Sequence, residues 1–176
     1  MKPRSRKNKG REFQNYVRDT LLENFDLQQD DIRGASMGAP GEDIQLSPAA
    51  REKIPFSFEC KKQERFSIYS AIDQSIYNSR EHIPAVIFRK NYMNPWIAMP
   101  YLEYLQLFDI DNITPTLELK KKRLNIYNAI DQAVLLDPED TTIIFYTVET
   151  NKWIAFEFDK FIKKLKNICT NHKKQL

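Results

Sequence analysis

The chain repeats part of itself, and this repeat limits the folds open to it. Phe58-Glu-Cys-Lys-Lys-Gln-Glu-Arg-Phe-Ser-Ile-Tyr-Ser-Ala-Ile-Asp-Gln74 returns, one residue shorter, as Leu117-Glu-Leu-Lys-Lys-Lys-Arg-Leu-Asn-Ile-Tyr-Asn-Ala-Ile-Asp-Gln132. Val86-Ile-Phe88 then matches Ile143-Ile-Phe145, Trp96-Ile-Ala98 matches Trp153-Ile-Ala155, and 101–108 answers 158–165. The shared Ile-Tyr-x-Ala-Ile-Asp-Gln string argues against chance similarity between two amphipathic segments. A strand–helix–hairpin–helix unit is therefore expected twice. Strands alternating with helices, with hairpins between them, predict an α/β chain: a mixed β-sheet with helices on both faces. Residues 1–108 read as a core with a basic N-terminal arm, and 109–176 as an extension that is a degenerate repeat of 58–108. The second copy extends the sheet, forms a dimer surface or mimics a partner subunit, and the pattern does not choose among these.

Local signals place the elements. Phe13, Val17, Leu21 and Leu22 lie close to helical spacing and predict a helix over 8–25, with Glu12 on its first turn. An acid there is also what a helix dipole favours. Arg33-Gly-Ala-Ser-Met-Gly-Ala-Pro-Gly41 holds three of the four glycines and predicts a loop or strand end that approaches something closely. This loop and the first helix are not duplicated. Residues 43–46 and 56–62 read as a strand pair, 68–80 as a helix, and 85–90 with 95–99 as a hairpin turning near Asn94-Pro95. Pro100 opens a short helix from Tyr101 to Phe108, where a first-turn proline is well placed. Tyr69, Tyr77, Phe88, Tyr101, Tyr104 and Phe108 fall where strands and amphipathic helices bury side chains. Trp96 and Trp153 hold equivalent places in the two copies, which suggests packing.

Chemistry concentrates at Gly41-Glu-Asp43-Ile44 and Phe58-Glu59-Cys60-Lys61. Successive strand side chains alternate faces, so Glu59 and Lys61 point one way while Phe56, Phe58 and Cys60 point into a core. Two carboxylates can hold a hard divalent cation through oxygen. A lysine beside that cation can position the attacking water or help deprotonate it. Glu118 and Lys120 form a rival pair, with Asp109 and Asp111 upstream. The first copy is preferred because it has Glu12 and the Arg33–Ser36 loop beside it, with Gln74 behind. The second copy retains Gln132, and its acid–lysine pair is expected to be solvated, in a half kept for packing or assembly.

Composition narrows the function classes. A chain of 176 residues with 41% hydrophobic content is long enough for one domain, or one domain plus an extension. Its net charge of +3 is modest, but the charge is unevenly placed. Lys2, Arg4, Arg6, Lys7, Lys9 and Arg11 precede the first acid. Lys160, Lys163, Lys164, Lys166, Lys173 and Lys174 crowd the other end. Such clusters suit phosphate backbones; they also suit a solubilising tail and a solvated helix face. Cys60 and Cys169 make neither a disulfide framework nor a zinc pattern. His82 and His172 are isolated, which leaves a histidine-based nuclease or a Ser-His-Asp hydrolase little to work with. There is no secretory signal and no apolar run long enough to span a bilayer, so a soluble, intracellular protein is expected.

Lys9-Gly-Arg-Glu12-Phe, Gly41-Glu-Asp43-Ile-Gln-Leu-Ser-Pro-Ala-Ala-Arg51, Phe56-Ser-Phe-Glu59-Cys-Lys61-Lys-Gln-Glu-Arg65 and Ala71-Ile-Asp-Gln74 together resemble the PD-(D/E)XK nuclease superfamily. The likeness is to its phage-type branch, related to archaeal Holliday-junction resolvases, and covers about residues 8–108. Glu42 replaces the nominal proline before the aspartate, and Lys62 stands where related phage sequences carry asparagine. The resemblance implies a restriction-endonuclease-like sheet and an intracellular Mg²⁺- or Mn²⁺-dependent endodeoxyribonuclease of branched DNA, working as a homodimer. It implies metal ligation by Asp43, Glu59 and the Cys60 carbonyl, and water activation by Lys61. Glu12 would reach the metal through water, Gln74 would support Lys61 or the metal waters, and Arg33 and Ser36 would contact the scissile phosphate. Arg4, Arg6, Lys7, Lys9 and Arg11 are the expected DNA-binding arm. Two alternatives stay open: a general or restriction-like nuclease, and a non-catalytic DNA-binding or assembly module.

Overall fold

The computed structural model describes residues 3–35, 41–120, 123–147, 149 and 151–172. Helix α1 (Pro3–Asn24) buries Phe13, Val17 and Leu21 completely. It starts five residues earlier than its apolar spacing predicts, with proline at its first position. Glu12 therefore sits in the third turn, and a first-turn dipole does not account for it. Strands β1 (Ile32–Gly34) and β2 (Ile44–Leu46) pair antiparallel. Helix α2 (Pro48–Lys53), absent from the sequence reading, is capped by the Ser47 hydroxyl, which accepts from the Ala50 N–H at 3.1 Å. Strand β3 (Phe56–Lys62), helix α3 (Ile68–Ser79) and strand β4 (Ile83–Arg89) form a parallel crossover, and β5 (Trp96–Pro100) returns as a hairpin before α4 (Tyr101–Leu107). The second unit follows the same order: β6 (Leu117–Leu119), α5 (Ile126–Leu136), β7 (Thr142–Tyr146), β8 (Lys152–Glu157) and α6 (Phe158–His172). Even the caps repeat, with Ser67 accepting from the Ser70 N–H and Asn125 from the Asn128 N–H.

The described strands make one mixed sheet in the order β1-β2-β3-β4-β5-β8-β7-β6, so the second copy extends the sheet of the first. The two copies meet where β5 pairs antiparallel with β8. Ala98 faces Ala155, its own repeat equivalent. Trp96 opposite Glu157 is mirrored by Pro100 opposite Trp153, and Ile97 opposite Phe156 by Met99 opposite Ile154. A local two-fold axis thus passes beside Ala98 and Ala155.

Each face of the sheet carries a core. Under α1, α4 and α6 lie Phe56, Phe58, Ile87, Ile97, Ile154 and Phe156; under α3 and α5 lie Val86, Phe88, Trp96, Ala98, Phe145 and Trp153. The two units share these cores. Phe161 of α6 meets Phe56 edge-on at 5.0 Å and lies 6.4 Å from Phe58, so the last helix seals the inner face of β3. Tyr77 departs from the sequence reading: it is 87% exposed.

The symmetry breaks at β6. Glu59 stands across from Val86 and Lys61 from Phe88. Across from the matching Ile143 and Phe145 stand Leu117 and Leu119. This one-residue slip turns every β6 side chain to the opposite face. Leu117 and Leu119 pack into the core beneath α5. Glu118 and Lys120 are left on the other side, where the Tyr146 hydroxyl donates to Glu118 Oε1 at 2.7 Å and the Lys120 ammonium lies 5.2 Å from the Tyr146 ring.

A chain ending at residue 108 would leave β5 as an open edge and uncover Phe56 and Phe58. It is expected to aggregate or to unfold without cooperativity, as followed by size-exclusion chromatography and circular dichroism. A monomeric 1–108 fragment with a sharp thermal transition would show that the halves are independent. In the full chain, Phe161→Ala should cost about 3–5 kcal/mol in denaturant unfolding.

Candidate active site

The backbone at Asp43 is pinned from both sides. Its N–H donates to the Phe58 carbonyl at 2.9 Å, and its carbonyl accepts from the Ala35 N–H at 2.9 Å. Gly41 enters the strand at φ +108°, a conformation that glycine adopts without the clash a side chain brings. The Arg51 guanidinium donates to both the Glu42 carboxylate and the Phe56 carbonyl, tying the approach to β2 onto the start of β3. Ladder pairing stops just before Asp43, and its carboxylate takes the place of a continuing strand: Oδ2 accepts from the Cys60 N–H at 2.7 Å. Oδ1 accepts from Gln14 Nε2 of α1 at 2.6 Å.

Glu59 and Lys61 share the outer face of β3, as strand alternation predicts. Lys61 Nζ lies 2.5 Å from Glu59 Oε1 and donates to Gln74 Oε1 of α3 at 2.9 Å. Glu59 is 3% exposed, and its second oxygen, Oε2, is buried without a hydrogen-bond partner. Burial, then the neighbouring Asp43 charge, pushes the Glu59 carboxyl up to about 7, against the pull of Lys61. Burial also raises Asp43, opposed by the Cys60 N–H, Lys61, Gln14 and Glu59. Burial and the same two acids hold the Cys60 thiol well above its usual range, so it stays protonated.

Two adjacent carboxyls, Glu59 buried with one oxygen unpartnered and Asp43 half-buried, suit a hard divalent cation that prefers oxygen. Asp43 and Glu59 supply side-chain donors. Because the Cys60 N–H points at Asp43, its carbonyl faces the same strand edge and adds a third oxygen. Among the described residues, no three His, Cys, Asp or Glu side chains gather as a metal-holding group.

The structure thus brings together Asp43, Glu59, Cys60, Lys61 and Gln74 from the sequence reading. It places Glu12 elsewhere: its carboxylate lies 3.7 Å from Lys62 Nζ, and the residue that α1 presents to Asp43 is Gln14. Gln14 is buried at 9% exposure and shares the apolar stripe of Val17 and Leu21 at spacings of three and seven. A polar residue at such a stripe position was the signal available for it. Arg33 is exposed on β1, 3.4 Å from Asp30. Lys9 lines a separate cleft and Arg11 is exposed. Ser36 and the side chains of Arg4, Arg6 and Lys7 lie outside the described residues.

The carboxyl pair makes stability depend on pH. Glu59 holds its proton to about pH 7 when folded but releases it near 4.5, its ordinary value, when unfolded. The folded chain binds more protons between these values, so stability is full below pH 4.5 and falls as pH rises through 7. In EDTA, thermal unfolding should show this loss, on the order of 1–3 kcal/mol, and Glu59→Gln should remove it. Identical pH profiles for the two proteins would refute the raised carboxyl.

No protein-family model, curated protein or solved structure matches the chain.

Proposed function

We propose that this chain is a metal-dependent endonuclease of the PD-(D/E)XK kind that hydrolyses phosphodiester bonds in branched DNA, such as a four-way junction. One observation carries the reading: the buried Glu59 carboxyl beside the half-buried Asp43, with Lys61 hydrogen-bonded to Glu59. Phosphodiester hydrolysis is slow because an anionic centre must accept a nucleophile that bears charge. Asp43, Glu59 and the Cys60 carbonyl would hold Mg²⁺ or Mn²⁺, which would neutralise developing charge and lower the pKa of its water. The chain supplies the rest. Gln14 and the Cys60 N–H favour the ionised form of Asp43 and fix its orientation. Gln74 and Glu59 hold the Lys61 ammonium at the pair, where it orients the attacking water. Water adds at phosphorus, the ester P–O bond breaks, and the products are a phosphate monoester and an alcohol.

Among the described residues the second half offers no equivalent centre. Leu117 and Leu119 occupy the places that match Glu59 and Lys61, and the sheet separates Glu118 and Lys120 from α5, which carries Gln132. Two cuts in a symmetric junction therefore call for two chains, which accords with action as a homodimer on DNA.

The test uses labelled four-way junction and linear duplex with Mg²⁺, Mn²⁺ or EDTA. Asp43→Asn, Glu59→Gln and Lys61→Ala should each slow cleavage by roughly 10²-fold or more while DNA binding persists. Glu118→Gln should cut at the wild-type rate. Absence of metal-dependent cleavage on every DNA tried would leave a non-catalytic DNA-binding module. Equal cutting of duplex and junction would remove only the preference for branches.

A further inference from the structure

Beyond the carboxyl pair, on the α1 side of β3, lies a cleft of 390 Å³ lined by Lys9, Lys62, Arg89, Asn91, Tyr92 and Asn94. Lys62 and Arg89 are paired neighbours at the ends of β3 and β4. The Arg89 guanidinium lies over two rings of α1, 5.0 Å from Phe13 and 5.3 Å from Tyr16. Its Nε is buried without a hydrogen-bond partner, and among the described residues no carboxylate pairs with Arg89. Glu12 offsets part of the Lys62 charge, and Glu64, which accepts from the Asn91 N–H, stands at the turn, leaving three cations against two carboxylates. A charged donor held in place with an N–H unspent favours an anion.

The rim adds a second kind of contact. Tyr92 is fully exposed and sits at φ +58°, a left-handed conformation that bulky residues seldom adopt. The turn is fixed beside it: the Asn91 N–H donates to Glu64 Oε1 at 3.0 Å. An open ring face can stack on a base only when that base is unpaired. The amides of Asn91 and Asn94 offer donors and acceptors to a base edge. Lys62 also lies two residues beyond Cys60, about 6–7 Å along the strand from the N–H that holds Asp43. Glu59 and Lys61 lie on the other face of β3, so the cleft is a site separate from the carboxyl pair.

We propose that this cleft holds an unpaired nucleotide of DNA, with its phosphate on Lys9, Lys62 and Arg89 and its base against Tyr92. The partner follows from the nuclease reading, but binding is measurable without cleavage. Fluorescence anisotropy in EDTA compares a labelled single-stranded oligonucleotide with a blunt duplex of the same length on the full chain. The single strand should bind more tightly. Tyr92→Ala, at an exposed position that leaves packing intact, should weaken it by about 5–100-fold, and Tyr92→Phe should restore it. Lys62→Gln and Arg89→Gln should weaken binding and flatten its salt dependence, each by about one unit of log slope. Glu12→Gln, which removes the counter-charge, should tighten it. Wild-type binding by both Tyr92→Ala and Lys62→Gln would overturn the proposal, as would a duplex bound as tightly as the single strand. If the variants behave as expected but the wild type cuts no DNA, the nuclease reading falls and the cleft stands. If the wild type cuts and the cleft variants match it in binding, the cleft falls alone.

Discussion

The pairing of β5 with β8 is the contact on which the rest of the molecule depends. It joins two three-stranded units into one sheet and brings α6 across the seam, where Phe161 closes over Phe56 and Phe58. Those two phenylalanines set the inner face of β3, and alternation along β3 then fixes where Glu59 and Lys61 point. The second unit also braces the far end of that strand. The Tyr127 hydroxyl of α5 donates to the Gln63 carbonyl at 2.8 Å, and the Tyr127 ring packs against Phe66 and Phe88. Lys90, which lies 3.4 Å from Asp131 of α5, ties the turn beside the cleft to the same helix.

Within that frame the site is a problem of crowded negative charge. Burial raises both carboxyls, and the Asp43 charge pushes Glu59 further up. Lys61, Gln14 and the Cys60 N–H oppose these shifts in part. The cleft beyond Cys60 has the opposite sign. The acidic pair and the basic, aromatic-rimmed groove thus put opposite charge on the two faces of one strand.

Much of this was legible in the residues. The alternation Phe56, Phe58, Cys60 against Glu59, Lys61 gave the two faces of β3, and the repeated Ile-Tyr-x-Ala-Ile-Asp-Gln string gave two equivalent helices. The facing of β6 was not legible from the motif alone. Leu117-Glu-Leu-Lys120 has the same phase as Phe58-Glu-Cys-Lys61, yet it faces the other way. The reason is coverage: α1 packs over the inner face of the first unit, and the second unit has no counterpart of α1. Leu117 and Leu119 instead find their apolar cover under α5, and Glu118 and Lys120 turn away with the slip. Gln14 was missed for a related reason. Attention to charge selected Glu12, but helix periodicity directs position 14, beside Val17 and Leu21, toward the sheet. The start of α1 was misplaced because the basic residues before position 8 carry no apolar stripe.

The near-symmetric seam at Ala98 and Ala155 has a consequence for how such a molecule can change. In a dimer of identical chains every substitution appears twice, so neither copy can alter without the other. Here the two halves are separate stretches of one chain, and a change such as the one-residue slip of β6 enters one half alone. The tether also replaces an encounter between chains with a fixed neighbour, so the paired sheet persists at any dilution. Fusion thus separates two demands that identical subunits must meet together: one half retains the carboxyl pair while the other, relieved of it, specialises as its support.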